Sequence, residues 1–430
     1  MDGDRGRSVD AVIFGATGFT GERVVRAAIR KQKQEPGFTF AIAGRSVDKL
    51  RQVLNRCKQI SGLGEFEVKL IEADVSRPES ILEMCRQGKV VINCVGPYRF
   101  YGEQVVKACV DAGTHYVDIS GEPQFLESMQ LRYDQQAREK GIYIVGACGF
   151  DSIPSEMGVA FTKKHFDGDL NSIETFLSFK AGPEGTSAHY ATWESAVHGI
   201  SAAAELSPIR KQLFAQRLPR PTHKVEEKKV FYNEDVRGWA IPFPGADRSI
   251  ARRTEYLEFT EQNHRPVQVI SYLKTGSIIN TAQIVIFGAL FMFMAKFKFT
   301  RDLLLKYPKV FSMGFFSHEG PTEEQMRNTS FRMEIVGRGY SQKLSSPDEV
   351  HTAVPDKRIV AEVTGPDPGY NATSAMVLES AMTILEESGQ PKSRIPRFGV
   401  LPPGYAFENT GLIGRLHDHG IGFKVISKDA

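Results

Sequence analysis

The sequence predicts an α/β chain: a parallel sheet flanked by helices, then a second α+β domain with a mainly antiparallel sheet. Three observations carry this expectation. Short apolar runs alternate with helical patterns over residues 1–150. A glycine-rich turn, "GATGFTG" (15–21), joins the first run to the first helical pattern. After residue 150 strand-like segments follow one another without regular intervening helices. At 430 residues the chain exceeds one ordinary core, which implies more than one domain.

Six strands are expected in the first domain: 10–16, 38–45, 66–74, 89–96, 114–121 and 141–148. Helical spacing falls between them at 21–32, 47–57, 78–88, 102–113 and 123–140. Apolar runs of this length, separated by helices, imply right-handed crossovers and a parallel sheet. Residues 152–166 look helical and 172–181 alternate like a strand. Further strands are expected at 253–260, 266–274, 329–336 and 357–364. The second domain is placed at 151–370, and residues 371–430, with an amphipathic stretch at 373–388, are expected to pack back on the first domain. "GIGFKVIS" (420–427) reads as an edge strand.

Composition narrows the function classes. The chain is 41% hydrophobic and 24% charged, with net charge +3, which implies a globular protein and no nucleic-acid role. The five cysteines (57, 85, 94, 109, 148) form no CxxC pair, so neither a metal site nor a disulfide framework is expected and a reducing compartment is. Residues 1–9 carry no apolar run of the signal-peptide kind.

Gly15, Gly18 and Gly21 suit a dinucleotide pyrophosphate. Glycine lets the backbone approach the phosphates, and a helix starting there adds its positive end. The spacing is GxxGxxG rather than GxGxxG, but the strand–turn–helix context is what such a motif needs. Gly15, Ala16, Thr17, Gly18, Phe19, Thr20 and Gly21 are the expected cofactor contacts, against a packing turn that holds no ligand. The second strand ends "AGRS", with Arg45 and Ser46 where an NAD site would place an acid. Arg45 can pair with a 2′-phosphate, so NADP(H) is favoured over NAD(H); the alternative is a solvated Arg45 and a helix-capping Ser46. Asp74 ends the third strand, beside the adenine or as a helix cap.

The fourth strand ends "NCVGPYRFYGE" (93–103), where nicotinamide is expected. Cys94, Gly96, Pro97 and Tyr98 are the candidate contacts there, with Cys94 also readable as an inert buried thiol. Tyr98 is a candidate proton donor, and His189 in "GPEGTSAHYATWES" (182–195) a candidate catalytic residue; the alternatives are packing and structural roles. No Tyr precedes Lys by four residues, and GxxxxGK[ST], HExxH and GxSxG are absent.

"IVIFGALFMFMA" (284–295) is the most apolar run. Twelve residues fall short of the roughly 20 needed to span hydrocarbon. Aromatics and cations follow it through Lys309, so 278–299 is expected to contact a membrane or lipid-droplet surface; the alternatives are a core helix or a homodimer interface.

"GATGFTG", "AGRS", "NCVGPYRFYGE", "DISGE" (118–122) and "GFDSIPSEMG" (149–158), with "GPDPGY" (365–370) and "PPGYAF" (402–407), resemble the saccharopine dehydrogenase-like oxidoreductases of animals in order and spacing. The resemblance covers nearly the whole chain. It implies a Rossmann-type domain, NAD(P) binding and association with lipid droplets or membranes, with the cytoplasm otherwise. Bacterial relatives in the broad family resemble trans-acting enoyl reductases of glycolipid synthesis. The cationic set that would bind saccharopine does not map onto this chain, so a lipid-like or acyl substrate is expected. A saccharopine-type dehydrogenase and a non-enzymatic lipid-droplet adaptor are the alternatives.

Overall fold

The computed structural model describes residues 6–61, 67–388 and 393–428. Residues 1–5, and Phe66 at the head of the expected third strand, lie outside them. Two compact units are present. The first comprises residues 1–150, 369–401 and 409–419; the second comprises 151–368, 402–408 and 420–430.

In the first unit β1 (Val9–Phe14), β2 (Phe40–Gly44), β3 (Lys69–Glu72), β4 (Gly88–Asn93), β5 (His115–Asp118) and β6 (Tyr143–Val145) form a wholly parallel sheet. A seventh strand, Gly399–Leu401, pairs in parallel with β6, giving the order 399–401, β6, β5, β4, β1, β2, β3. The chain switches direction across the sheet at β1 and β4, as in doubly wound dinucleotide folds. Central strands are buried on both faces, which is why they read as unbroken apolar runs. The connecting helices are α1 (Phe19–Gln34), α2 (Val47–Ser61), α3 (Pro78–Gln87), α4 (Tyr98–Ala112) and α5 (Pro123–Lys140). The amphipathic stretch forms a helix, Thr373–Glu387, whose first twelve residues are buried within this unit.

The second unit begins with α6 (Ile153–His165) and the long β7 (Asp169–Lys180). β7 sits in the middle of a seven-stranded mixed sheet. It pairs antiparallel with Ser330–Tyr340 and parallel with Gln268–Thr275; the other pairs are antiparallel. Gly422–Lys428 is an edge strand of this sheet. The C-terminal sixty residues therefore serve both units rather than the first alone.

One expected strand is a helix. Residues 253–260 lie within Asp247–Gln262, whose buried positions Ile250, Thr254 and Leu257 recur at helical spacing. Buried Arg253, Glu255 and Glu258 on the same helix obscured that period. Glu255 and Glu258 take Lys163 of α6, at 2.5 and 2.6 Å.

The apolar run is also longer than its twelve-residue core. A single helix spans Ile278–Lys296, 19 residues, of which only Thr281 and Ala295 are fully buried. This overturns the reading of a core helix covered by its own chain.

Candidate functional site

The carboxyl ends of β1 to β5 gather every first-domain candidate at one edge of the parallel sheet. After β1, Gly15 adopts φ +83°, the left-handed region that favours glycine. The Gly18 amide donates to the Gly15 carbonyl at 2.9 Å and closes the turn. Gly18 is the N-cap of α1, and no side-chain oxygen caps that helix. Its carbonyl accepts the Glu22 amide at 2.9 Å, so the helix begins at the turn itself. Thr17 and Gly18 are exposed, whereas Ala16, in the same turn, is buried.

Gly21 has a different task. A Cβ there would stand 2.1 Å from the Gly15 carbonyl oxygen, so only glycine lets the turn fold onto the helix. The result is a helix N-terminus with a bare backbone rim, which fits a pyrophosphate. Beside it, Arg23 stacks over the Phe19 ring at 3.8 Å, and Tyr370 meets Phe19 edge-on at 4.7 Å. This aromatic support of the turn, supplied by a residue 351 positions on from Phe19, was not read in the sequence.

At the end of β2 the Arg45 side chain is exposed. The Ala73 amide donates to the Gly44 carbonyl at 3.0 Å, bringing the end of β3 alongside. Asp74 accepts the amide and hydroxyl of Ser76 at 2.9 and 2.8 Å. These bonds, with lesser help from the Arg45 charge, hold its carboxyl below the usual range. Ser46 Oγ accepts the Lys49 amide at 3.4 Å, a weak cap on α2. Arg45 and Asp74 thus share one exposed polar corner, where an anionic group can be met by a guanidinium.

At the end of β4 the Cys94 amide donates to the Phe14 carbonyl at 2.8 Å. Burial, with Asp118 nearby, pushes the Cys94 thiol up to about 12. A thiol held protonated at neutral pH is a weak nucleophile. The Gly96–Pro97 peptide is cis. Glu122 receives the amides of Tyr98 and Arg99, at 2.9 and 3.0 Å, and so caps α4 from across the sheet edge.

Two candidate catalytic residues are placed differently from expectation. The Tyr98 hydroxyl donates to the Asn93 carbonyl at 2.8 Å and accepts the Ile119 amide at 3.4 Å. Tyr98 is buried, and burial together with Asp118 pushes its hydroxyl well above the ordinary range. A phenol held this way ties β4 to the β5 loop rather than offering a proton. His189 belongs to the second unit, where its Nδ1 accepts the Ala191 amide at 3.2 Å and caps the helix Tyr190–Ser201. Its position follows from capping chemistry, and the structural alternative describes it.

Sequence reasoning missed a buried polar relay. Asn93 Nδ2 donates to the Tyr116 hydroxyl at 3.1 Å, which donates to Asp118 at 2.8 Å. Asp118 also accepts the Ser120 and Ala147 amides, at 2.9 and 2.8 Å. Burial raises its carboxyl to about 6 despite those amides. The relay pins the ends of β4, β5 and β6 to one another. Its signal was present: polar Asn93 closes β4 directly after Val90, Val91 and Ile92, and Asp118 closes β5 after Tyr116 and Val117.

A doubly wound sheet with a bare glycine turn at its switch point defines a dinucleotide-binding protein. Residues 11–145 match the saccharopine dehydrogenase NADP binding domain, so the first unit is an NADP-binding domain. A mouse saccharopine dehydrogenase-like oxidoreductase is 42% identical over 98% of both chains. A Caenorhabditis elegans relative named lipid droplet localized protein is 39% identical, covering 97% of this chain and 98% of its own. A Mycobacterium tuberculosis protein bearing the name of a trans-acting enoyl reductase is 34% identical over 48% of each chain. Among solved structures, apo saccharopine dehydrogenase (L-Glu forming) from Saccharomyces cerevisiae superposes with a TM-score of 0.54 at 13% identity, covering 98% of this chain and 100% of that one; it shares the fold. The chain belongs to the saccharopine dehydrogenase-like oxidoreductase family.

Proposed function

We propose that this chain is an NADP(H)-dependent oxidoreductase acting on a lipid-like acyl or enoyl substrate at a lipid surface. The cofactor half rests on the 15–21 turn for the pyrophosphate and on Arg45 for the 2′-phosphate, with Asp74 near the adenine. Gly96, Pro97 and the Cys94 backbone would line the nicotinamide end. When bound, the cofactor supplies or accepts hydride; the chain's own part is to hold it and to keep water from the ring. The observation that carries the lipid half is the exposed 19-residue apolar helix, and the names of the nematode and mycobacterial relatives agree with it.

The test is turnover. Full-length protein with NADPH is offered enoyl and keto acyl lipids in vesicles, and separately with NADP+ is offered saccharopine, while nicotinamide absorbance is followed. NADPH consumption with a lipid is expected; NADPH formation from NADP+ with saccharopine, and no turnover of any lipid, contradicts the proposal. One observation favours a second reading, a cofactor-binding adaptor without catalysis. Tyr98 and His189 are both committed to structural hydrogen bonds. Tight NADPH binding with no turnover on any lipid would favour it.

A further inference from the structure

We infer that the helix Ile278–Lys296 lies in the plane of an anionic phospholipid surface, embedded in the facing leaflet, and does not cross the membrane. The inference rests on the proposed work at a lipid surface and adds the mode of attachment and the lipid class. By length alone the helix could span. Nineteen residues rise about 28 Å, close to the roughly 30 Å of bilayer hydrocarbon. Its packing forbids it.

One stripe of the helix is laminated onto its own unit from end to end. At the start, Thr281 and Thr275 join hydroxyls at 2.5 Å, tying the helix to the strand Gln268–Thr275. In the middle, Phe291 packs on the buried Trp193 ring at 4.6 Å. Near the end, Ala295 is buried with Trp193, Val197 and Leu304 in one core. The Trp193 indole donates to the Leu304 carbonyl at 2.9 Å, which locks the supporting helices Tyr190–Ser201 and Lys298–Lys306 together. A spanning pose would drag both supports into hydrocarbon, with Glu194, Lys298, Arg301 and Asp302 aboard. Charges at the bilayer centre are costly, whereas at the interface they are at home.

The opposite side of the helix has no cover from the described residues. Ile279, Ile286, Leu290 and Phe293 are 68%, 69%, 56% and 59% exposed, and Phe299 just beyond is 75% exposed. A patch of this kind marks an interaction surface. Charge selects the occupant. Residues 296–319 carry Lys296, Lys298, Arg301, Lys306 and Lys309 against only Asp302 and Glu319. Each acid is paired, to Lys298 at 2.8 Å and Lys309 at 3.0 Å. An apolar face beside surplus cations matches acyl chains under anionic headgroups. A second copy is disfavoured, because a two-fold contact places each cationic segment in the same patch as its mate.

The test uses full-length protein and phosphatidylcholine vesicles with or without phosphatidylserine. Flotation is expected with phosphatidylserine and should weaken with salt. Phe293→Ser with Phe297→Ser, both exposed, should lower vesicle binding about tenfold or more. Arg301→Glu with Lys306→Glu should abolish the phosphatidylserine preference. Orientation is read with Gly276→Cys and Lys296→Cys, both exposed and one at each end, and a membrane-impermeant maleimide added outside the vesicles. Equal labelling of both ends is expected; labelling of one end alone shows a spanning helix and overturns the inference. Failure to float, with concentration-dependent self-association in light scattering, overturns it in favour of a second copy. NADPH titration of the same samples separates the readings: no vesicle binding with intact NADPH binding defeats this surface, and with it the lipid half of the proposed function, and leaves the cofactor assignment standing, whereas vesicle binding without NADPH binding defeats only the cofactor assignment.

Discussion

Alanine at Gly18 and at Gly21 should separate binding from folding. At Gly21 the added methyl would stand 2.1 Å from the Gly15 oxygen and 2.8 Å from its carbon, both backbone atoms. Ordinary contact begins at 3.4 Å, so the turn must retreat by about 1.3 Å. Overpacking of this sort costs about 1–3 kcal/mol. Gly21→Ala should therefore lower stability to denaturant and weaken NADPH together. At Gly18 the backbone is extended (φ −78°, ψ 164°), open to any residue, and the nearest atom to a new Cβ is 3.3 Å away. Gly18→Ala should cost about 1 kcal/mol or less in stability. Its methyl would stand on the rim that the phosphates approach, so NADPH affinity should fall about tenfold or more, a loss of at least about 1.4 kcal/mol. The assay is urea unfolding beside calorimetric titration with NADPH for both variants. If Gly18→Ala binds NADPH as wild type does, the turn does not hold the pyrophosphate and the reasoning fails.

Tyr98→Phe should cost about 1 kcal/mol of unfolding free energy through its lost hydrogen bonds and leave any NADPH-dependent turnover within a few-fold; a loss of a thousandfold would restore Tyr98 as the proton donor. Asp118 gives a pH signature. Its carboxyl is raised from an unfolded value near 3.9 to about 6, so the folded chain binds the extra proton between those values. Stability from this group is full below about pH 4 and is lost as pH rises through 6, by about 3 kcal/mol. Urea unfolding of wild type minus Asp118→Asn should show that decline, and a flat difference would refute it.

The parallel sheet was legible because its strands are buried on both faces and its turns carry glycine. Gly399–Leu401 was not, since a three-residue strand takes its place from β6, more than 250 residues earlier. The helix Asp247–Gln262 hid behind buried ions, whose partner Lys163 lies on α6. The placement of the glycine turn and of Arg45 at strand ends was readable because local backbone chemistry and strand position define it. The roles of Tyr98 and His189 were not, because they depend on which carbonyl or amide the fold presents. Glu122, noted only as part of "DISGE", turns out to cap α4 across the sheet edge. The apolar run announced its composition but not its exposure, which is set by a single packed stripe along the helix.

The central claim is that the first unit holds a dinucleotide with a 2′-phosphate on Arg45. Calorimetric titration of full-length wild type and Arg45→Glu with NADPH and NADH tests it most directly. Wild type should bind NADPH more tightly than NADH, and Arg45→Glu should weaken NADPH roughly 10- to 100-fold while sparing NADH. Equal losses for both nucleotides, or no binding of either to wild type, would contradict the account.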